Sequence, residues 1–260
     1  MKKTLPILSI IACVAILIAG QLYWNQKITV IVANDNVSEE TNKGTEELVM
    51  NDRDTLISYT SHWPKESVNT FQEHLEAGDP FKIAFLGSNA LGEGNESWPE
   101  IVKASLNDTF GDHIVVSTFS YDLTSTDFLN EDKVAEVIEE QPNLIFFEPF
   151  TLKDNGEVGI DDSLENTSTV MAAVKESLPE TVVILQPPHP LYNANFYPNQ
   201  VQELQQFAEE NGITYLNHWG AWPDQKSKEI KEYITKDSSQ PSGKGHQLWA
   251  EYLINYFIAK

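Results

Sequence analysis

Lys82-Ile83-Ala84-Phe85-Leu86 runs into Gly87-Ser88-Asn89-Ala90-Leu91-Gly92-Glu93-Gly94 and then Ser97-Trp98-Pro99-Glu100. An apolar strand that ends in a Gly-Ser turn and feeds an amphipathic helix lifts a serine hydroxyl out at a sheet edge, beside backbone N–H donors. An acyl-transfer nucleophile sits in such a place. A glycine-rich turn also follows a first strand simply because the chain must reverse, and the spacing here is not the dinucleotide fingerprint G-x-G-x-x-G.

Outward from this passage, strand-like apolar runs alternate with amphipathic helical patterns from about residue 55 onward. That alternation predicts an α/β domain, a three-layer sandwich around a five-stranded, mostly parallel sheet. Strands are expected over 82–86, 113–119, 143–147, 181–185 and 213–216, with helices over 65–76, 98–110, 125–140, 164–177, 200–211, 226–234 and 246–258. In the helix expected over 125–140, Phe128, Val134, Val137 and Ile138 form the apolar stripe while Glu131, Asp132, Glu136 and Glu139 face water. Ligands of open α/β sheets bind beyond the carboxyl ends of the strands. The segments that fall there, 87–94, 120–125, 148–156, 186–197 and 217–222, are rich in Asn, Trp, Tyr and Pro. Such residues suit the stacking and hydrogen bonding of sugars, and equally make stiff loops.

Near the C-terminus the chain reads Asp237-Ser238-Ser239-Gln240-Pro241-Ser242-Gly243-Lys244-Gly245-His246 ahead of an apolar helix. Together with the Gly87-Ser88 turn, this resembles the first and last blocks of the SGNH (GDSL) hydrolases, whose last block is D-x-x-H-P-x-x-x-G. The resemblance spans roughly residues 81–260 and implies a flavodoxin-like fold and cofactor-free hydrolysis of esters by a serine nucleophile. Two departures stand out. Ser88 is displaced by one position, so that Asn89 occupies the nucleophile's usual place, and Gln240 stands where the family has its histidine. An amide cannot accept and return a proton near pH 7, and loss of the base costs serine triads on the order of 10⁶ in turnover.

The resemblance then implies Ser88 as nucleophile, His246 as substitute base and Asp237 as its orienting acid, although a ring at position 246 equally serves to pack or cap. His189 and His218 follow strands on the same edge and are further candidate bases; Lys244 would need a strongly depressed pKa. Ser120, Asn155, Asn89 and Gln240 are the candidate oxyanion and substrate-binding residues. The order Asp154-Asn155 is reversed relative to the family's Gly-x-Asn-Asp loop. Glu148 and Asp154 resemble a glycosidase's paired acids only if they flank one bond at a defined separation. No His or Cys cluster has metal-ligand spacing, so neither metal nor cofactor is expected.

Met1-Lys2-Lys3 precedes an almost uniformly apolar run over residues 4–24, long enough to cross a bilayer. Its length and the lack of an A-x-A cleavage site favour an uncleaved anchor over a signal peptide, with the remainder extracytoplasmic. Cys13, the only cysteine, lies in that run in a lipobox-like setting, and the exported part holds no disulfide. Residues 25–54 read as a polar stalk and 55–260 as the folded domain. With 39 acidic against 17 basic residues and a net charge of -22, the chain repels nucleic acid and polyanions.

The expectation is therefore a membrane-tethered, extracytoplasmic ester hydrolase acting on acylated glycan or lipid of the cell envelope, with the membrane a partner through the N-terminal segment and no nucleic acid. The alternatives are a catalytically degenerate domain that binds envelope carbohydrate, and an O-acyltransferase partner that hands the acyl group to a sugar hydroxyl.

Overall fold

The computed structural model describes residues 52–259, which from Arg53 onward belong to the compact unit Arg53–Lys260. The apolar N-terminal run and the stalk up to residue 51, including Cys13, lie outside the described residues. Among the described residues no helix is long and apolar enough to cross a membrane. A helical stretch over residues 52–59 leads into α1 (Lys65–Ala77), which ends at Gly78 with φ 76°.

Five parallel strands follow: β1 (Phe81–Ser88), β2 (Ile114–Tyr121), β3 (Leu144–Phe147), β4 (Val182–Leu185) and β5 (Thr214–Tyr215), ordered β2-β1-β3-β4-β5. The central strands are apolar on both faces because helices cover both. Ile83 and Phe85 enter one core layer while Ala84 and Leu86 enter the other, as the two-residue period of a strand requires. β2 closes one edge of the sheet, where Val115 is 45% exposed.

The first layer is built by α2 (Trp98–Phe110) and the last helix. Trp98, Val102, Leu106 and Phe110 recur every fourth residue and are all buried, so one stripe of α2 meets the sheet. Each such fully buried side chain is worth about 1.5–3 kcal/mol of transfer free energy. The second layer rests on α3 (Ser125–Asn130), α4 (Lys133–Glu139) and α6 (Ile160–Ser177), with the short α5 (Thr151–Asp154) between β3 and α6. α7 (Tyr197–Glu210) joins β4 to β5, and α8 (Gly243–Phe257) closes the chain, burying His246, Trp249, Ala250, Leu253 and Phe257.

Two helices differ from expectation. The helix read over 125–140 is broken into α3 and α4 at Asp132, which adopts φ 53°, ψ 35°. Asn130-Glu131-Asp132 holds two residues that prefer local turns to helix interior, and Asp is one of the few side chains at ease in the left-handed region. The stretch expected to be helical over 226–234 is a 3₁₀ segment over Lys228–Glu232.

Candidate active site

β1 delivers Ser88 as its last residue, and a 3₁₀ turn over Asn89–Leu91 takes the chain away. Gly87 is required just before it. A Cβ there would lie 2.8 Å from Glu148 Cβ and 2.9 Å from the Glu148 carbonyl oxygen, so only a bare backbone lets the ends of β1 and β3 approach this closely. That approach places Ser88 against Glu148. The Ser88 amide donates to Glu148 Oε2 at 2.8 Å. The hydroxyl oxygen also accepts from the Ala90 amide at 3.2 Å, and its residue has no exposed surface.

Glu148 is wholly buried, and its second oxygen, Oε1, has no partner. Burial disfavours the charged form and lifts its pKa to about 8, against the pull of the Ser88 hydrogen bonds and with help from the charge of Asp154. Asp154 is itself committed elsewhere: it accepts from the Ser125 amide at 2.8 Å and the Ser163 hydroxyl at 2.6 Å, tying α5 to α3 and α6. Burial raises its pKa as well. A carboxyl spent on fixing three helices is not free to flank a glycosidic bond, so the paired-acid reading finds no support here.

Three imidazoles lie buried on the first-layer side. His218 stacks on Trp249 at 4.1 Å, accepts at Nδ1 from Trp222 Nε1 (2.8 Å) and donates from Nε2 to the Pro187 carbonyl (2.8 Å). Both of its nitrogens are used. His189 donates from Nε2 to the Ser238 carbonyl at 3.2 Å and leaves Nδ1 without a partner. His246 accepts at Nδ1 from the Trp98 amide at 3.3 Å, which puts its proton on Nε2. Its ring packs over Gly92, which has φ 80°; a Cβ at that glycine would fall 2.7 Å from Nε2. Burial depresses all three, His189 and His246 to about 4 and His218 to about 3, so each is neutral near pH 7.

The remaining residues singled out by sequence are arranged as follows. Among the described residues no hydrogen bond joins Ser88, His246 and Asp237 to one another. Asp237 is exposed and accepts from Thr235 Oγ1 (2.6 Å) and from the amide and hydroxyl of Ser239, which hold its pKa below the usual carboxylate value. Gln240 closes the same small loop through its backbone, its carbonyl accepting from the Thr235 amide at 2.9 Å beside the Ile234–Pro241 bridge. Ser120 lies opposite Gly87 across β2, and its hydroxyl donates to the Ser88 carbonyl at 3.2 Å. Asn89 donates to Asp122 Oδ1 at 2.8 Å, an oxygen that also pairs with Lys153 Nζ at 2.6 Å. Asn155 is exposed just after α5, and among the described residues its side chain makes no hydrogen bond. Lys244 pairs with Glu232 at 2.5 Å, and that partner holds its pKa up rather than down.

Sequence reading thus brought forward Ser88, Ser120 and Asn89 at the ends of β1 and β2, and named Glu148 only as a candidate partner of Asp154, not as the carboxyl that the Ser88 amide meets. The signal for it was a single acid closing an otherwise apolar strand, Leu144-Ile145-Phe146-Phe147-Glu148. Among the described residues no group of three or more His, Cys, Asp or Glu side chains is placed to hold a metal ion.

Comparison with solved structures identifies the architecture. An acetylxylan esterase from Geobacillus stearothermophilus superposes with a TM-score of 0.55 at 16% identity, covering 68% of this chain and 94% of that one. A GDSL-like lipase from Bacteroides thetaiotaomicron gives 0.50 at 16% identity, covering 68% and 87%. A protein assigned to the G-D-S-L family of lipolytic proteins from Desulfitobacterium hafniense gives 0.54 at 20% identity, covering 67% and 98%. No protein-family model matches the sequence, and no curated protein matches it either. The chain has the α/β fold of the SGNH/GDSL hydrolases.

Proposed function

We propose that this chain is a carboxylic-ester hydrolase of SGNH/GDSL architecture, held outside the membrane by its N-terminal segment and acting on acyl or acetyl esters of an envelope glycan or lipid. The observation that carries the proposal is the hydrogen bond from the Ser88 amide to the buried Glu148 carboxyl, which brings that carboxyl to the serine at the carboxyl ends of β1 and β3. A carboxyl whose proton affinity is lifted to about 8 is a far better acceptor than an ordinary one, and suits a base working near neutral or mildly alkaline pH.

In this reading Glu148 takes the Ser88 hydroxyl proton as Oγ bonds to the ester carbonyl carbon. The carbonyl electron pair moves onto its oxygen, which amide donors such as Asn155 stabilise. Collapse breaks the bond to the alcohol, which leaves with the proton from Glu148, and water repeats the sequence on the acyl-serine. The segment 89–94 must swing aside to admit the ester, and Gly92 and Gly94, both at positive φ, supply the backbone freedom.

One observation favours a second reading, a domain that keeps the hydrolase body to bind envelope carbohydrate. The Ser88 side chain is closed off from solvent and its oxygen already accepts from Ala90, while no buried imidazole bonds to it. The full chain in detergent, given p-nitrophenyl acetate and a fluorophosphonate probe, separates the two. Labelling that Ser88→Ala abolishes, with turnover rising through about pH 8 and falling on the order of 100-fold or more in Glu148→Gln, supports hydrolysis. Folded protein that is neither labelled nor turns over the ester above the Ser88→Ala background overturns it in favour of binding.

A further inference from the structure

Beyond the carboxyl ends of β4 and β5, two loops enclose a pocket of about 690 Å³, within the range of small-molecule sites. Its walls include Asn193, Asn195, Trp219, Asp224, Gln225 and Lys226. The loops are tied together before any ligand arrives. The Asn193 amide donates to the Gln225 carbonyl at 2.9 Å, Trp219 Nε1 donates to the Pro188 carbonyl at 2.7 Å, and the Tyr197 hydroxyl donates to the His189 carbonyl at 3.0 Å. Trp219 is further steadied by the Tyr197 ring, 5.6 Å away. The side chains that would recognise a ligand are, by contrast, uncommitted. Among the described residues the side-chain amides of Asn193, Asn195 and Gln225 and the amino group of Lys226 make no hydrogen bond, although each stands in a wall of a pocket whose backbone is pinned.

Phe196, next to Asn195 in the chain, is 78% exposed, one of two large exposed hydrophobics among the described residues. An indole in the wall of a pocket of free amides has a specific chemical complement. A side-chain amide both donates and accepts, as a sugar hydroxyl does. An indole ring offers an apolar face with its polar atom already satisfied, which suits the C–H face of a pyranose. Asp224 and the net charge of -22 oppose a polyanion.

We infer that this pocket is a saccharide subsite that holds a neutral sugar unit of a glycan. It rests on the reading of the preceding subsection in one respect: the glycan is the one whose neighbouring unit lies at Ser88. β4 and β5 stand two and three strand positions from β1, which at the spacing of a sheet is on the order of 10–15 Å. A chain of sugars seated in the pocket therefore reaches toward Ser88 along the same edge.

The test titrates the full chain in detergent with chitotetraose, cellotetraose and tetragalacturonate, reading tryptophan fluorescence and calorimetry. Saturable binding of a neutral tetrasaccharide is expected, weaker by roughly tenfold or more in Asn195→Ala/Gln225→Ala, which removes two amide contacts. Asn195 is exposed and Gln225 half-buried, and circular dichroism confirms that the variant is folded. Absence of saturable binding by either neutral probe overturns the inference, as does binding that the double variant leaves unchanged or that tetragalacturonate equals. Fluorophosphonate labelling of the wild type is read in parallel. Labelled protein that binds no sugar removes the subsite and leaves hydrolysis standing, whereas binding without labelling removes hydrolysis and leaves the subsite.

Discussion

Ser88 takes the side of the sheet that its position in β1 dictates. Counting by twos from Ala84 and Leu86 puts its side chain on the second-layer face, whereas His246 belongs to a helix packed in the first layer. A one-residue displacement in sequence is thus a change of face in space, and it takes the side chain away from the imidazole's layer while the Ser88 amide bonds to Glu148. Gly87 makes the exchange possible by letting β3 close on β1. Replacing it with alanine drives a methyl into the Glu148 backbone and Leu91, with contacts of 2.7–2.9 Å. Gly87→Ala should lose about 1–3 kcal/mol in urea unfolding, the usual cost of overpacking, and should lower the pKa governing p-nitrophenyl acetate turnover if Glu148 is pushed toward solvent.

At the scale of elements, α8 depends on its first turn. Ser242 caps it, its hydroxyl accepting from the Gly245 amide at 3.4 Å while donating to the Glu232 carbonyl at 2.6 Å. Ser242→Ala should therefore cost about 1–2 kcal/mol, measured as a shift in the urea midpoint without change in slope. Sequence periodicity located β1 to β4 and α2 to within a residue or two, because each carries an unbroken apolar run or stripe such as Trp98, Val102, Leu106 and Phe110. It missed the break at Asp132, where a left-handed residue splits a stripe that continues in register on either side. It did not foresee the Ser88–Glu148 pairing either, since that contact joins residues 60 apart through a parallel register that one-dimensional spacing does not contain. Asp237 and His246, nine positions apart in the chain, carried the reverse lesson: proximity in sequence brought no bond between them.

For the whole molecule, the buried ionisable groups set a stability curve with two limbs. His189, His218 and His246 have pKa values depressed to between about 3 and 4, so the unfolded chain binds more protons as pH falls below the ordinary histidine value. Stability is fully present above about pH 6.5 and is lost toward pH 4. Glu148 works oppositely: its folded pKa of about 8 exceeds the unfolded value, so its contribution is complete at low pH and declines as pH rises to 8. The thermal midpoint should therefore peak near pH 6–7, with the alkaline limb flattened in Glu148→Gln and the acid limb flattened in His218→Gln, both read by circular dichroism melts across pH. A single-limbed curve would contradict these assignments.

The outer side of β2 has a further consequence. Among the described residues Ile114-Val115-Val116-Ser117-Thr118-Phe119-Ser120-Tyr121 is an edge strand without lysine or proline, and an uncovered edge offers a template to another chain. Mutual repulsion between molecules that each carry -22 keeps such templates from meeting. Ions that screen this repulsion beyond about 3 Å at molar strength would weaken the safeguard without touching the fold, so brine should favour association through this edge.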